Sequence, residues 1–594
     1  MGRSERVNKK RKFHGNRYTK IVNKDKRIVN NNVSELLSSP HVSHDENKEI
    51  GPSSASKRKL FSSEINKDAD VHSVNSEDSE CVNSGNNVII DVKLLSDFIS
   101  EHTICKYCQE SDCMTIVEDV TVRKGLASKL IIKCNSCKFE NSMRSSKQTE
   151  NKYYDINIRL VYGMRCIGKG YSGAKALCGM LDLPPPPAKF NNYSNIIENK
   201  LKVICEESMK KAAAEAVEEN DGSTDVAIAL DGTWQKRGHA SLHGVVSATL
   251  VDTGKVVDVE VLSKFCQNCQ TDEEHECSKN YSGASGGMEA VGAVNIFARS
   301  VSERSLQYVK YLGDGDSKGF MRVNDSKPYG DSVLIEKLEC IGHIQKRLGC
   351  RLRRFKRDMK GKKLSDNKGV GGAGRLTDAE IDRLQKYYGL AIRRNAGEKG
   401  DVKSMQQAVW ATYFHKCSTD QKPIHNFCPK GPESWCRFQR AAATGSTYTH
   451  KNALPLTIME AIKPIYKDLS MPSLLKKCIH GKTQNTNESL NNCIWERIPK
   501  NVFVGAQTLR IGVFDAVLTF NEGVMARKKV LDGLGIGVGS NCINALRGID
   551  NLRLFYANRA AESMTKEART ERRQQKKRKE AEDDGQEDYC PGMY

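Results

Sequence analysis

The chain contains no run of 18 consecutive apolar residues, which excludes a membrane-spanning helix by the usual length argument. Its first residues, MGRSERVNKKRK, lack the apolar core of a secretory signal, so export is not expected. Internal repeats are missing, which argues against solenoids and propellers. Acidic residues are in deficit: 73 Asp and Glu stand against 93 Lys and Arg, a formal net charge of +20. A charge of that size favours a polyanionic partner, and nucleic acid is the first candidate. Aromatic residues are scarce across residues 1–90, which are rich in Ser, Asn, Lys and Asp. Such a segment cannot bury enough apolar surface to fold alone and reads as a disordered basic arm. Its runs KKRK (9–12) and KRK (57–59) have the form of nuclear import signals or DNA-contacting arms, and equally that of solvated charge.

Cysteine, by contrast, is plentiful, with 21 residues. In a chain without a secretory signal these read as reduced thiols and metal ligands, as in cytosolic or nuclear proteins. Cys105-x2-Cys108 and Cys134-x2-Cys137, separated by 25 residues, have the spacing of a four-cysteine zinc ribbon over residues 100–142. Residues 116–122 and 129–132 would be its short strands, with Cys113 left over. Cys266, Cys269, His275 and Cys277 form a second candidate Zn²⁺ set within twelve residues. A third comprises Cys417, His425, Cys428 and Cys436, where His415 is an alternative to Cys417.

Periodicity organises the rest. Residues 155–182 read as an amphipathic helical pair stopped by the prolines at 184–187, and 191–219 as a further helix, making a helical segment over 150–220. The pattern then changes to short apolar runs at 226–230, 239–251, 255–263 and 307–312, with Asp252-Thr253-Gly254 as a hairpin turn. Helices are expected at 335–360, 376–395, 403–415, 454–478 and 484–494, with a Gly/Lys/Asp-rich loop at 361–375. Residues 560–594 form a charged tail.

Three groups of acids stand out. Asp231 follows the first strand in LDGTW, Asp314 and Asp316 follow the fourth in YLGDGDSKGF, and Glu488 lies in a helix in TQNTNESLNN. Carboxylates at the ends of neighbouring strands, joined by one from a packed helix, are suitable oxygen ligands for Mg²⁺ or Mn²⁺. A pair of such ions can activate the attacking oxygen of a phosphodiester cleavage and stabilise the leaving one. Asp-Gly is also the commonest turn dipeptide, so plain turns would produce the same text. Lys346, Arg347, Arg351, Arg353, Arg354, Lys356 and Arg357 form a basic stretch with no acid across 346–357, suited to phosphate contacts. Trp234 and Trp495 flank two of the acids, and core packing is the commoner fate of tryptophan.

The strings LDGTWQKRGHASLHG, YLGDGDSKGF, HKCSTDQKPIHNFCPKGPESWC and CIHGKTQNTNESLNNCIWERIPK resemble the Mutator-like (MULE-type) transposases of animals, from about residue 100 to about 530. The resemblance implies an α/β fold. An RNase H-like catalytic core, in parts at 224–320 and 481–530, would be split by a mainly α insertion at 321–480. The zinc ribbon and the basic arm would precede this core. It implies Asp231, Asp314 and Glu488 as the metal-binding catalytic acids, with Asp316 as rival to Asp314. Cys340-Ile-Gly-His343 matches a Cys-x-x-His motif of the family, which makes His343 an accessory residue. The activity implied is metal-dependent cleavage of transposon ends and strand transfer into target DNA. Double-stranded DNA would be the partner, bound by a homo-oligomer in the nucleus. The other readings are a domesticated, non-catalytic DNA-binding protein and a general metal nuclease.

Overall fold

The computed structural model describes residues 87–563 apart from 236–240, 267, 268, 270–274, 276, 314–317, 398, 452 and 501. The basic arm, apart from residues 87–90, and the tail from 564 onward lie outside the described residues. Asp314 and Asp316 do too.

The chain opens with α1 (Val92–His102) and a three-stranded antiparallel sheet of β1 (Met114–Lys124), β2 (Ala127–Cys134) and β3 (Glu140–Arg144). Asp91 caps α1 by accepting from the Lys93 amide at 2.7 Å, satisfying a donor that the helix itself cannot. Met114 pairs with Cys134 and Leu130 with Met143. The buried hydrophobic cluster of this module is small, made of Cys105, Cys113, Met114 and Cys134. An apolar core so small gives little folding energy, which is the usual reason for a structural metal.

Three helices follow, α2 (Asp155–Cys166), α3 (Tyr171–Met180) and the long α4 (Phe190–Glu219). They lead into β4 (Asp225–Trp234), β5 (His243–Leu250) and β6 (Val256–Ser263), then α5 (Met288–Arg304), β7 (Gln307–Gly313), α6 (Lys318–Ser326) and β8 (Glu336–Glu339). The five strands form one sheet in the order β6-β5-β4-β7-β8. The hairpin-linked trio is antiparallel, and β7 and β8 extend it in parallel from β4. The turn between β5 and β6 carries Gly254 at φ +71°, a conformation open to glycine at little cost.

Both faces of the sheet are covered, so the strands read as continuous apolar runs rather than alternations. Val245, Val256 and Val259 pack on one face with α2 and the N-terminal part of α4. Val246, Ala248 and Val257 pack on the other with α5 and the end of α4.

After β8 comes a helical block with its own core: α7 (Ile341–Asp358), α8 (Asp378–Arg394), α9 (Val402–Cys417), α10 (Arg437–Thr444), α11 (Leu456–Leu469) and α12 (Pro472–Lys476). It leaves and rejoins the sheet at one place. Glu339 N donates to Lys477 O at 2.9 Å, and His480 Nε2 lies 3.1 Å from Glu339 O. The chain then continues as α13 (Asn485–Arg497), α14 (Ala506–Glu522), α15 (Arg527–Gly533) and α16 (Ser540–Ser563), with α13 and α14 packed against the first face of the sheet. The fold is therefore mixed α/β.

Local expectations change in several places, and the helix expected over 454–478 is broken into α11 and α12. The helix expected from 335 begins only at Ile341, because 336–339 pairs in parallel with β7. The strand expected from 239 begins at His243. Helices with no counterpart in the pattern reading are also present: α5, α6, α10, α14, α15 and α16.

Candidate functional site

Asp231 lies within β4, opposite Ser247 of β5, with its side chain half-buried. Glu488 is in the first turn of α13. What brings the two together is a stripe of polar side chains along α13 that hydrogen-bonds the strands. Gln484, the N-cap residue, donates to Leu230 O at 2.6 Å. Asn487 donates to Ala229 O at 3.1 Å and Ser247 O at 3.2 Å, and accepts from Thr249 Oγ1 at 2.8 Å. Asn491 Nδ2 donates to Asp231 Oδ2 at 2.7 Å, and Trp495 Nε1 to Thr233 Oγ1 at 2.8 Å. Positions 484, 487, 491 and 495 share one helical face. The text TQNTNESLNN is thus largely a docking surface that fixes where Glu488 points.

A third carboxylate, which pattern reading did not find, joins them. Glu289, in the first turn of α5, crowds Gly232: a Cβ there would meet Glu289 Cγ at 2.9 Å, so only glycine lets the helix approach. Burial pushes the Asp231 carboxyl up to about 7, helped by the charges of Glu289 and Glu488 and opposed by the Asn491 hydrogen bond. Burial also raises Glu289. Asp314 cannot be placed against them, but β7 ends at Gly313, and its Leu312 pairs with Ala229, two residues before Asp231.

His343 and Lys346, in the first two turns of α7, flank the acids. His343 Nε2 and Lys346 Nζ each lie 4.0 Å from Glu488 Oε1. Burial, with Lys346 beside it, lowers the His343 pKa, which favours the neutral imidazole. Cys340 is buried and its Sγ accepts from the Gln484 amide at 3.4 Å, so it joins the helical block to α13. The two tryptophans are held by core contacts, Trp495 as above and Trp234 by donating to Ser285 O at 3.0 Å.

The basic stretch on α7 is less free than its text suggests. Acids are missing from 346–357 but arrive from elsewhere in the fold. Arg347 pairs with Glu339 at 2.9 Å, Arg351 with Asp468 at 3.2 Å, Arg353 with Asp382, and Lys356 with Asp378 at 2.9 Å. Lys346, Arg354 and Arg357 stay strongly exposed, the two arginines 3.6 and 3.8 Å from Asp358.

Among the described residues, three Cys/His groups could hold zinc, each with all ligand atoms within 4.8 Å of one another. A tetrahedron with Zn–S near 2.3 Å has S···S edges of about 3.8 Å, the fit to be met. In the first, Cys105 lies 3.6 Å from Cys137 and Cys108 3.7 Å from Cys134. Cys113 sits beside them, 3.4 Å from Cys134. In the second, Cys269 Sγ is 3.4 Å from His275 Nε2 and 3.3 Å from Cys277 Sγ, and Cys266 Sγ is 3.5 Å from the same nitrogen. The third requires a correction: its four residues are His415, His425, Cys428 and Cys436, not Cys417. Cys417 donates to Tyr413 O at 3.5 Å. Two residues apart on α9 means roughly 200° of rotation, so only one of positions 415 and 417 can face the site. His425 Nδ1 is 3.4 Å from Cys436 Sγ, while its Nε2 is 2.8 Å from His450 Nε2, whose Nδ1 is 2.6 Å from Asp420. Such a relay orients a ligating imidazole.

Metal analysis checks this directly. Native protein is expected to carry up to three zinc ions. His415→Ala should lose one, with melting of the 415–450 region, while Cys417→Ser should keep them all. Loss of zinc from Cys417→Ser alone would reverse the assignment.

Among the described residues, no helix is long and apolar enough to cross a membrane. No curated protein matches the chain. The family model described as Mutator-like transposase matches residues 86–436, a span that includes Asp231, Asp314, His343 and the three Cys/His groups in full, and that stops before Glu488. With more than half of its length matched, the chain belongs to the Mutator-like transposases, a family whose function implies binding to DNA.

Proposed function

We propose that the chain is a cut-and-paste DNA transposase. In this reading Asp231, Asp314 and Glu488 are the acids of an RNase H-like core, and the helical block after β8 is inserted into that core. The observation that supports the reading is the hydrogen bond to Asp231 from Asn491, a residue one helical turn from Glu488, although the whole helical block separates Asp231 from both in sequence. A trio of antiparallel strands extended by parallel strands, with Asp231 on the central one, supports the RNase H-like reading.

The donor set is all oxygen, which suits Mg²⁺ or Mn²⁺ rather than a softer ion. Bound there, such ions would activate the attacking oxygen and stabilise the leaving oxygen of a phosphodiester. The protein's own groups do the positioning. Asn491 holds the Asp231 carboxylate, Gln484 and Asn487 hold α13 on the sheet, and Lys346 offers a cation beside Glu488 to a strand phosphate. Arg354 and Arg357 continue this exposed basic line along α7. The reading places the protein in the nucleus, acting on terminal repeats and target DNA as a homo-oligomer.

The test is incubation of the full chain with Mg²⁺, DNA carrying candidate terminal repeats and a target plasmid. Joined products are expected. Cleavage without joining would replace the reading with a metal nuclease. Binding without cleavage in either Mg²⁺ or Mn²⁺ would replace it with a non-catalytic, domesticated DNA-binding protein.

A further inference from the structure

The helical block contains a cavity of about 670 Å³ between α8, α9 and the third Cys/His group. Its volume lies in the range of small-ligand sites, about 300–1,000 Å³. The lining is aromatic and cationic: Tyr387, Phe427, Trp435 and Tyr448 stand with Arg394 and Arg437, and no Asp or Glu is among the lining residues. Two further cations there, Arg383 and Lys416, share the single carboxylate of Glu380, Arg383 at 2.5 Å and Lys416 at 2.7 Å. Arg394 and Arg437 have no carboxylate partner among the described residues, so their charge is available to a ligand. Asn395 and Gln407 add amides able to read a polar edge.

A planar, stackable body carrying an anion fits this combination, and a nucleotide is the ligand of that chemistry. Aromatic faces accept any base, while guanidinium groups accept its phosphate. The cavity is also tied to the acids. Arg393, next to Arg394, donates to Gln345 Oε1 at 2.6 Å, and Gln345 is two residues from His343 on α7. Gly389 of α8 has no room for a Cβ, because Gln345 fills that space. The C-terminal end of α8 is therefore locked to the turn of α7 that flanks Glu488.

We infer that this cavity binds one unpaired nucleotide of a DNA strand, its base against Tyr387 and Trp435 and its phosphate against Arg394 and Arg437. The inference rests on the DNA-processing reading, but its test needs no cleavage and is run without divalent metal. The probes are a paired duplex, the same duplex with a single bulged nucleotide, and free deoxynucleoside triphosphate, each measured by fluorescence anisotropy or competition against the full chain.

Native protein is expected to bind the bulged duplex roughly tenfold more tightly than the paired one, the effect of about one stacked base. The exposed double variant Arg394→Gln/Arg437→Gln and, separately, Tyr387→Ala should bring that ratio to about one. Tyr387→Phe should keep it. Affinity for the paired duplex should change by less than about twofold, with zinc content and thermal unfolding as in the native chain. Equal binding of both duplexes by the native chain would overturn the inference while leaving the cleavage reading intact. So would a preference that survives in both variants. Free triphosphate that binds the native chain, with no bulge preference, would assign the cavity to a free nucleotide and overturn the strand as its source.

Discussion

Asp231→Asn and Glu488→Gln are each expected to lower metal-dependent strand cleavage by roughly 10³-fold or more, since each removes a charge that metal-assisted phosphodiester chemistry requires. Folding should survive. Asn at 231 keeps an oxygen that can accept the Asn491 amide, now 2.7 Å from Asp231 Oδ2. The neutral side chain also removes a like charge facing Glu289 and Glu488, which is part of what pushes Asp231 up to about 7. At Glu488 the side chain is half in solvent, so an amide there leaves no buried orphan. Gel-resolved cleavage in Mg²⁺ and Mn²⁺, with DNA affinity measured in parallel, decides the matter. Affinity retained with cleavage lost makes these acids the reacting site. Cleavage unchanged in both variants would mean that the reacting groups lie elsewhere in the chain.

The largest stability effect is expected away from the acids, at Asp515. This residue of α14 is buried and holds three partners from three helical elements. Its carboxylate accepts from Arg497 Nε at 2.6 Å, Arg527 Nη2 at 2.7 Å and Tyr162 OH at 2.9 Å. Burial alone would raise its pKa; the guanidinium groups of Arg527 and Arg497 outweigh that and hold it well below the usual carboxylate range. Asp515→Asn leaves two largely buried guanidinium groups without their counter-charge, at a cost of about 3–5 kcal/mol. In a thermal scan this should be a fall of roughly 10 °C.

The pH dependence has a definite sign. The folded-state pKa of Asp515 is depressed, so its contribution is complete above the unfolded value of about 3.9 and is lost as pH falls below that toward the folded value. Native protein should therefore lose stability steeply below about pH 4, and Asp515→Asn should lack that component. A variant within about 1 kcal/mol of native at pH 7 would show that the cluster is not a net stabiliser.

Which features were legible beforehand follows from how local each one is. The strands β4–β7 announce themselves as short apolar runs because both faces of the sheet are covered. The paired Cys-x2-Cys knuckles are legible because zinc geometry restricts ligand spacing within a short loop. α5 escaped because its buried face is built from small residues, Ala290, Gly292, Ala293 and Ser300, with only Met288, Ile296 and Phe297 as strong signals. β8 escaped for the opposite reason. Glu-Lys-Leu-Glu has weak strand character and becomes a strand only because β7 offers an edge to pair with.

The sequence by itself determined the chemistry on offer: the thiols and imidazoles in spaced groups, the acids Asp231 and Glu488 in distinctive contexts, and the excess of positive charge. Only the tertiary structure decided which of these groups meet. It brought Glu289 to Asp231, set His415 rather than Cys417 toward the third cluster, and supplied Asp378, Asp382, Asp468 and Glu339 to arginines and a lysine of the acid-free stretch 346–357. Side-chain type is a local property of the chain, but neighbourhood is set by how helices and strands distant in sequence bury their apolar faces together.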